Sequence, residues 1–104
     1  MKKRNPIRLG TVDLEDRKKL ETCARQFGVV GDVTRLKICY LLCSHSELSV
    51  TEIAKILRLK VSTVSHSLSK LKEIHVVKNR RNQQMIYYSL VNNHFTKVLR
   101  SQIL

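Results

Sequence analysis

Along most of this chain apolar residues recur at three- and four-residue steps, the spacing of a helix with one buried face. The first such run holds Leu20, Cys23, Ala24 and Phe27. It predicts a helix over about Asp13 to Phe27, with Asp13, Glu15 and Asp16 favouring its N-terminal dipole. Gly28 and Gly31 bracket a break, after which Asp32 can cap a second helix through RLKICYLLC. That helix is apolar round much of its girth, which places it centrally in a core. In HSELSVTEIAKIL, Ser49 followed by Glu52 is a capping box for a short third helix carrying Val50, Ile53, Ala54, Ile56 and Leu57. Only Arg58, Leu59 and Lys60 separate it from a fourth run, residues 61–74.

That fourth run, which opens VSTVSHSLSKL, has an unusual polar side. At about 100° per residue, Val61, Val64, Leu68 and Leu71 fall within one arc of roughly 80°, the stripe expected to face the core. Opposite lie Ser62, Thr63, His66, Ser69 and Lys70, with Ser65 beside them. Short hydroxyls are mediocre helix formers, so their choice has another reason. A short face, uncharged over its first turns and able to donate and accept hydrogen bonds, fits the major groove of DNA. Bulky or acidic side chains there would strike base edges or repel phosphates. The bland alternative is a solvated serine-rich surface. Two short helices joined by a tight turn, the second with such a face, make a helix-turn-helix.

The period then changes. Val76–Lys78 and Met85–Leu90 are β-rich runs, with Ile86, Tyr88 and Leu90 on one face of the second and the polar tip NRRNQQ between them. A hairpin straight after the recognition helix is a wing, about residues 78–85. The tail resumes a helical pattern through Val91, Phe95, Val98, Leu99 and Ile103. The expected fold is mainly α with a small β-hairpin: a winged helix-turn-helix of order α-α-α-α-β-β-α. Residues 1–10, broken by Pro6 and Gly10, read as a basic arm (Lys2, Lys3, Arg4, Arg8), and residues 11–104 as one DNA-binding domain.

Charge sharpens this picture. The net charge of +12 is uneven: ten Lys and Arg stand against seven acids before residue 55, and ten against Glu73 alone from Lys55 onward. So basic a half-domain calls for a polyanion, and nucleic acid is the commonest. On the wing, Lys78, Arg80, Arg81, Gln83 and Gln84 would meet phosphates or a minor groove, with a solvated hairpin tip as the alternative. On the helix and its turn, Lys60, Ser62, Thr63, Ser65, His66, Ser69 and Lys70 are the expected DNA contacts. No apolar run approaches the roughly 20 residues of a membrane span, and nothing at the N-terminus reads as a signal peptide, so a cytoplasmic protein is expected.

Cys23, Cys39 and Cys43 form no CxxC pair, which fits a reducing compartment. They could share a soft ion if the first two helices pack closely, or lie inert in the core. No cofactor or other metal site is expected, and an enzyme is disfavoured: there is no phosphate loop, paired carboxylate or nucleophile–base spacing. A winged helix used for RNA or protein contacts remains an alternative, though no stacking platform is evident.

Four segments in order resemble the ArsR/SmtB family of bacterial and archaeal transcriptional repressors. GDVTRLKICYLL, ELSVTEIAKIL, VSTVSHSLSKLKE and RRNQQMIYYSL are similar to its second helix, third helix, recognition helix and wing, and together cover about residues 20–95. The resemblance implies a homodimer built by the first and last helices, bound to double-stranded DNA at an imperfect palindrome. It also implies release by an inducer, whose identity the sequence does not give. Where many members carry two third-helix cysteines for soft metals, this chain has Ser49 and Thr51, which are poor ligands for them. A second family site, on the last helix, is matched only at His94, with Asn92 in place of its acid. Lys60, His75 and Asn82-Gln83 stand where the family usually has a capping Ser, a helix-ending Gly and a Gly-bearing wing tip.

Overall fold

The computed structural model describes residues 17–103. The helices are α1 (Arg17–Val30), α2 (Val33–Ser44), α3 (Val50–Leu57), α4 (Val61–Glu73) and α5 (His94–Ile103). The strands β1 (Leu48–Ser49), β2 (Val77–Asn82) and β3 (Met85–Leu90) form one antiparallel sheet in the order β1-β3-β2. This is the winged helix-turn-helix expected from the sequence. The arm at 1–10 and the acidic start of the first helix lie outside the described residues.

Local chemistry sets the helix ends. Asp32 caps α2 by accepting from the Arg35 N–H at 3.1 Å. Ser49 and Glu52 form the full capping box of α3: the Glu52 N–H donates to the serine hydroxyl at 3.2 Å, and the Ser49 N–H to the carboxylate at 2.8 Å. Each of α3 and α4 ends in a left-handed residue, Arg58 at φ 57° and His75 at φ 63°. The Leu59 N–H reaches the Ala54 carbonyl and the Val76 N–H the Leu71 carbonyl, both at 2.9 Å. These are the backbone bonds of a Schellman end, made here without glycine.

Ile38, Cys39 and Leu42 of α2, Ile53 of α3, Val64, Leu68 and Leu71 of α4, Val76 just before the sheet and Val77 of β2, and Phe95 and Leu99 of α5 close into one core. Removing the Leu68 side chain to alanine would cost about 2–5 kcal/mol on this burial.

Four expectations need correction. The first helix runs through Gly28 to Val30, and the break falls at Gly31 and Asp32 alone. A mid-helix glycine costs only about 1 kcal/mol, which flanking contacts outweigh. The second helix is only half central, because Val33, Leu36 and Tyr40 are exposed. Val61, assigned to the core stripe, is 49% exposed, since the first residue of α4 projects beyond the core its helical arc points towards. The wing tip is much shorter than NRRNQQ: pairing continues from Val77↔Leu90 out to Asn82↔Met85, leaving only Gln83 and Gln84 as the turn. Strand β1 was not anticipated.

Candidate nucleic-acid interface

The outward side of α4 is open. Ser62, Thr63, Ser65, His66, Ser69 and Lys70 are all exposed, whereas Ser67 turns into the core beside Val64, Leu68 and Leu71. His66 occupies the centre of this face, because it lines both grooves that flank it. One is bounded by Ser69, Lys70, Lys72, Glu73 and His75. The other is bounded by Ser62, Thr63 and the start of α2 at Asp32, Thr34 and Arg35. An imidazole there can donate from one nitrogen and accept at the other.

The N-terminus of α4 is not capped by a side chain. Lys60 takes the N-cap position at φ −69° and ψ 144°, and no side-chain hydrogen bond reaches the first-turn N–H groups. Exposed Arg58 and Lys60 therefore flank a helix end with free donors, a combination that suits a phosphate. Val61, next in the chain, adds a half-exposed apolar side chain to the same edge.

On the wing the two arginines part company, because consecutive strand residues face opposite ways. Arg80 lies on the outer face, paired with Tyr87, which itself pairs with Ser49. Its guanidinium donates to both carboxylate oxygens of Glu47, at 2.9 Å from Nε and more closely from Nη2, and sits 5.0 Å from the centre of the Tyr87 ring. The hydrogen bond from Arg80 holds the Glu47 carboxyl below its ordinary range, and the same bond raises the guanidinium. Arg80 thus ties the wing to the residue preceding β1. Arg81, on the other face, donates among the described residues only from Nη1 to the Gln83 carbonyl at 3.4 Å, and it is exposed together with Lys78, Gln83 and Gln84.

The thiols look inward. Cys39 is fully buried, its thiol pushed up to about 12 by burial and then by neighbouring Cys43. Burial also raises Cys43, against the lowering effect of Arg100. Both are free; Cys39, buried and neutral, is a poor nucleophile or ligand, while Cys43 is only partly buried against the core. Among the described residues no three His, Cys, Asp or Glu side chains are grouped to hold a metal. The side chain of Cys23 lies outside the described set.

The structure therefore brings together the recognition-helix residues that the sequence pointed to and adds Thr34, Arg35, Arg58, Val61, Lys72 and His75. Thr34 and Arg35 carried no local signal, because tertiary packing alone sets them beside α4.

Residues 32–79 match the family model described as bacterial regulatory protein, arsR family. The transcriptional repressor PagR of Bacillus anthracis is 41% identical over 73 residues, covering 70% of this chain and 73% of that protein. This chain belongs to the arsR family of bacterial regulatory proteins. The crystal structure of PagR superposes with a TM-score of 0.75 at 34% identity, covering 84% of this chain and 99% of that one. A homodimeric winged helix-turn-helix DNA-binding domain from Mycobacterium bovis superposes at 0.74 and 28% identity, covering 84% of this chain and 82% of that one. A CadC homologue of Staphylococcus aureus, a cadmium resistance regulator by name, is 35% identical over 78% of this chain and 67% of its own length. Against CadC of Listeria innocua the match spans only 56% of the relative. Family membership makes this arsR-family chain a DNA-binding transcriptional regulator and not an enzyme. No helix among the described residues is long and apolar enough to cross a membrane.

Proposed function

We propose that the chain is a homodimeric, cytoplasmic repressor whose α4 enters the major groove of successive half-sites of an imperfectly palindromic operator. The observation that carries this reading is the open hydroxyl-and-imidazole face of α4, flanked by exposed Arg58, Lys60, Lys70 and Lys72, with Glu73 the one acid on that helix. Ser62, Thr63 and His66 meet base edges, and Val61 suits the methyl group of thymine. Lys60, Lys78, Arg81, Gln83 and Gln84 meet the backbone. Arg80 contributes less than Arg81, because Glu47 already holds it.

Soft-metal control through α3 does not belong to this reading. The Ser49 hydroxyl is engaged by the Glu52 N–H and lies 3.1 Å from that of Thr51, so both positions serve the helix start.

The experiment selects bound fragments from genomic DNA and measures affinity for cognate and random duplex at several salt concentrations. His66→Ala is expected to lose affinity chiefly on the cognate site, by about tenfold or more per protomer contact. Arg81→Ala should weaken both duplexes and flatten the salt dependence, and Arg80→Ala should do so less. Equal losses on both duplexes for His66→Ala would remove it from base recognition. Better binding to single-stranded RNA than to any duplex would overturn the proposal.

A further inference from the structure

Gln26 of α1 is 4% exposed, and its Nε2 donates at 2.9 Å to the carbonyl of Ile74, the last residue of the recognition helix turn. One residue further, the carbonyl of His75 accepts from Asn93 Nδ2 at 3.0 Å. Asn93 is also the start of α5: its Oδ1 accepts from the Thr96 N–H at 2.9 Å, and its own N–H donates to the Thr96 hydroxyl at 3.0 Å. The carbonyls of Leu71 and Lys72 are met by the backbone N–H groups of Val76 and His75. Those of Ile74 and His75, two successive peptides where the chain turns left-handed, are instead met by side-chain amides from outside the helix-turn-helix. The two elements that send them are themselves joined, the rings of Phe27 and Phe95 meeting edge-on at 4.6 Å between centres.

We propose that Gln26 and Asn93 are positioning residues: two struts from the α1/α5 layer that fix the angle of α4, and so the half-site spacing a dimer accepts. Neither lies on the outward face of α4; both act through its C-terminal end. An amide suits the task, because it donates a hydrogen bond to a peptide carbonyl without adding charge, from a buried position at Gln26 and a more exposed one at Asn93. The lever is long. A helix of 13 residues is about 20 Å in length, so a tilt of roughly 10° about the strutted end carries Val61 about 3 Å. That is close to one base-pair step of about 3.4 Å. The proposal rests on the dimeric reading above, with its contact on α1 and α5.

The test uses the full chain and operators selected by the wild-type protein, rebuilt with the spacer between half-sites lengthened or shortened by one base pair. Gln26→Met removes the first strut at nearly constant length. Asn93→Asp replaces the donor amide and so removes the second, but it keeps a side-chain oxygen that can accept the Thr96 N–H and cap α5, so its folding should be preserved even where Gln26→Met is compromised. Wild type is expected to lose about tenfold in affinity per altered base pair of spacer, comparable to one wrong base pair. Each variant should cut that penalty to about threefold or less, with affinity for an isolated half-site within about twofold of wild type. Variants that keep the wild-type spacer penalty overturn the proposal, as does a uniform loss on every spacer and on the half-site, the mark of a merely structural role. Failure of the wild type to select paired half-sites would instead overturn the dimeric operator, and the struts' role with it.

Discussion

Replacing Lys60 by serine separates what α4 needs in order to fold from what its N-terminus offers to DNA. Lys60 already has the extended backbone of an N-cap, at φ −69° and ψ 144°, and its carbonyl accepts the first helical bond, from the Val64 N–H at 3.1 Å. Only the side-chain acceptor is missing. A serine hydroxyl there would take the Ser62 or Thr63 N–H, which stabilises a helix by about 1 kcal/mol. Removing a cation from the positive end of the dipole adds a few tenths of a kcal/mol, discounted because Lys60 is exposed. Together these should raise the midpoint of thermal unfolding by roughly 5 °C or more at fixed protein concentration. On DNA the sign reverses: each protomer loses one phosphate contact, so the slope of log affinity against log salt should shrink by about two units for a dimer. Differential scanning calorimetry and anisotropy titrations over a salt series measure the two effects on one variant. An unchanged or lower melting temperature would mean that the first-turn donors of α4 are already satisfied. A higher one with an unaltered salt slope would take Lys60 off the phosphates.

The buried thiol of Cys39 keeps its proton in the folded state up to about 12, against 9.0 for an ordinary thiol. Because the unfolded chain then binds fewer protons, stability should fall as pH rises through this window, by at most about 1.4 kcal/mol per unit. Cys39→Val should flatten that part of the urea-melt profile, and identical pH profiles for the two proteins would refute the burial argument. The Glu47 carboxyl should titrate by NMR below the ordinary glutamate range and return to it in Arg80→Ala. A midpoint unmoved by that change would mean the ion pair is not formed in solution. His75→Gly should stabilise the fold by about 1 kcal/mol, since glycine adopts φ 63° without the penalty of a side chain. Denaturant midpoints at constant slope would show it.

Helix identity and order were legible because period and caps agree. Ser49 with Glu52, and Asp32 ahead of Val33, do in the structure what their spacing promised. The misses share a cause: a pattern says which way a residue points and not what stands there. Val61 points along the core arc, but it sits one turn beyond the core's edge. The residues Asn79 to Asn82 are polar, yet strand pairing needs only their backbones, and Arg80, Arg81 and Asn82 stay exposed on both faces of the wing. Strand β1 is two residues long, too short for any alternation, and exists because β3 is there to receive it. The recognition face was visible in residues 61–71 alone. The groove beside its N-terminal half was not, since Asp32, Thr34 and Arg35 reach it only through tertiary packing.

Among the described residues, the places where this chain breaks local rules are not scattered. Lys60 stands at a helix start that would be better capped by serine, and Arg58, His75 and Gln83 hold positive φ that glycine would hold more easily. Those four residues bracket the recognition helix on both sides and mark the tip of the wing, and all four are exposed. Each has a side chain able to donate a hydrogen bond where the stable choice would carry none, or only a short hydroxyl. Strain that fell at random would also appear at the junctions away from the wing and α4. Yet the turn from α1 to α2 uses a capping Asp32, and the start of α5 uses Asn93 with Thr96, each a favourable choice for its position. Departures confined to one face, and sharing one chemistry, are the pattern expected when binding has been set against stability at a functional surface. Under the major-groove reading proposed above, the DNA-binding side would extend to the backbone ends of these elements, with Arg58 and His75 joining Ser62 and His66.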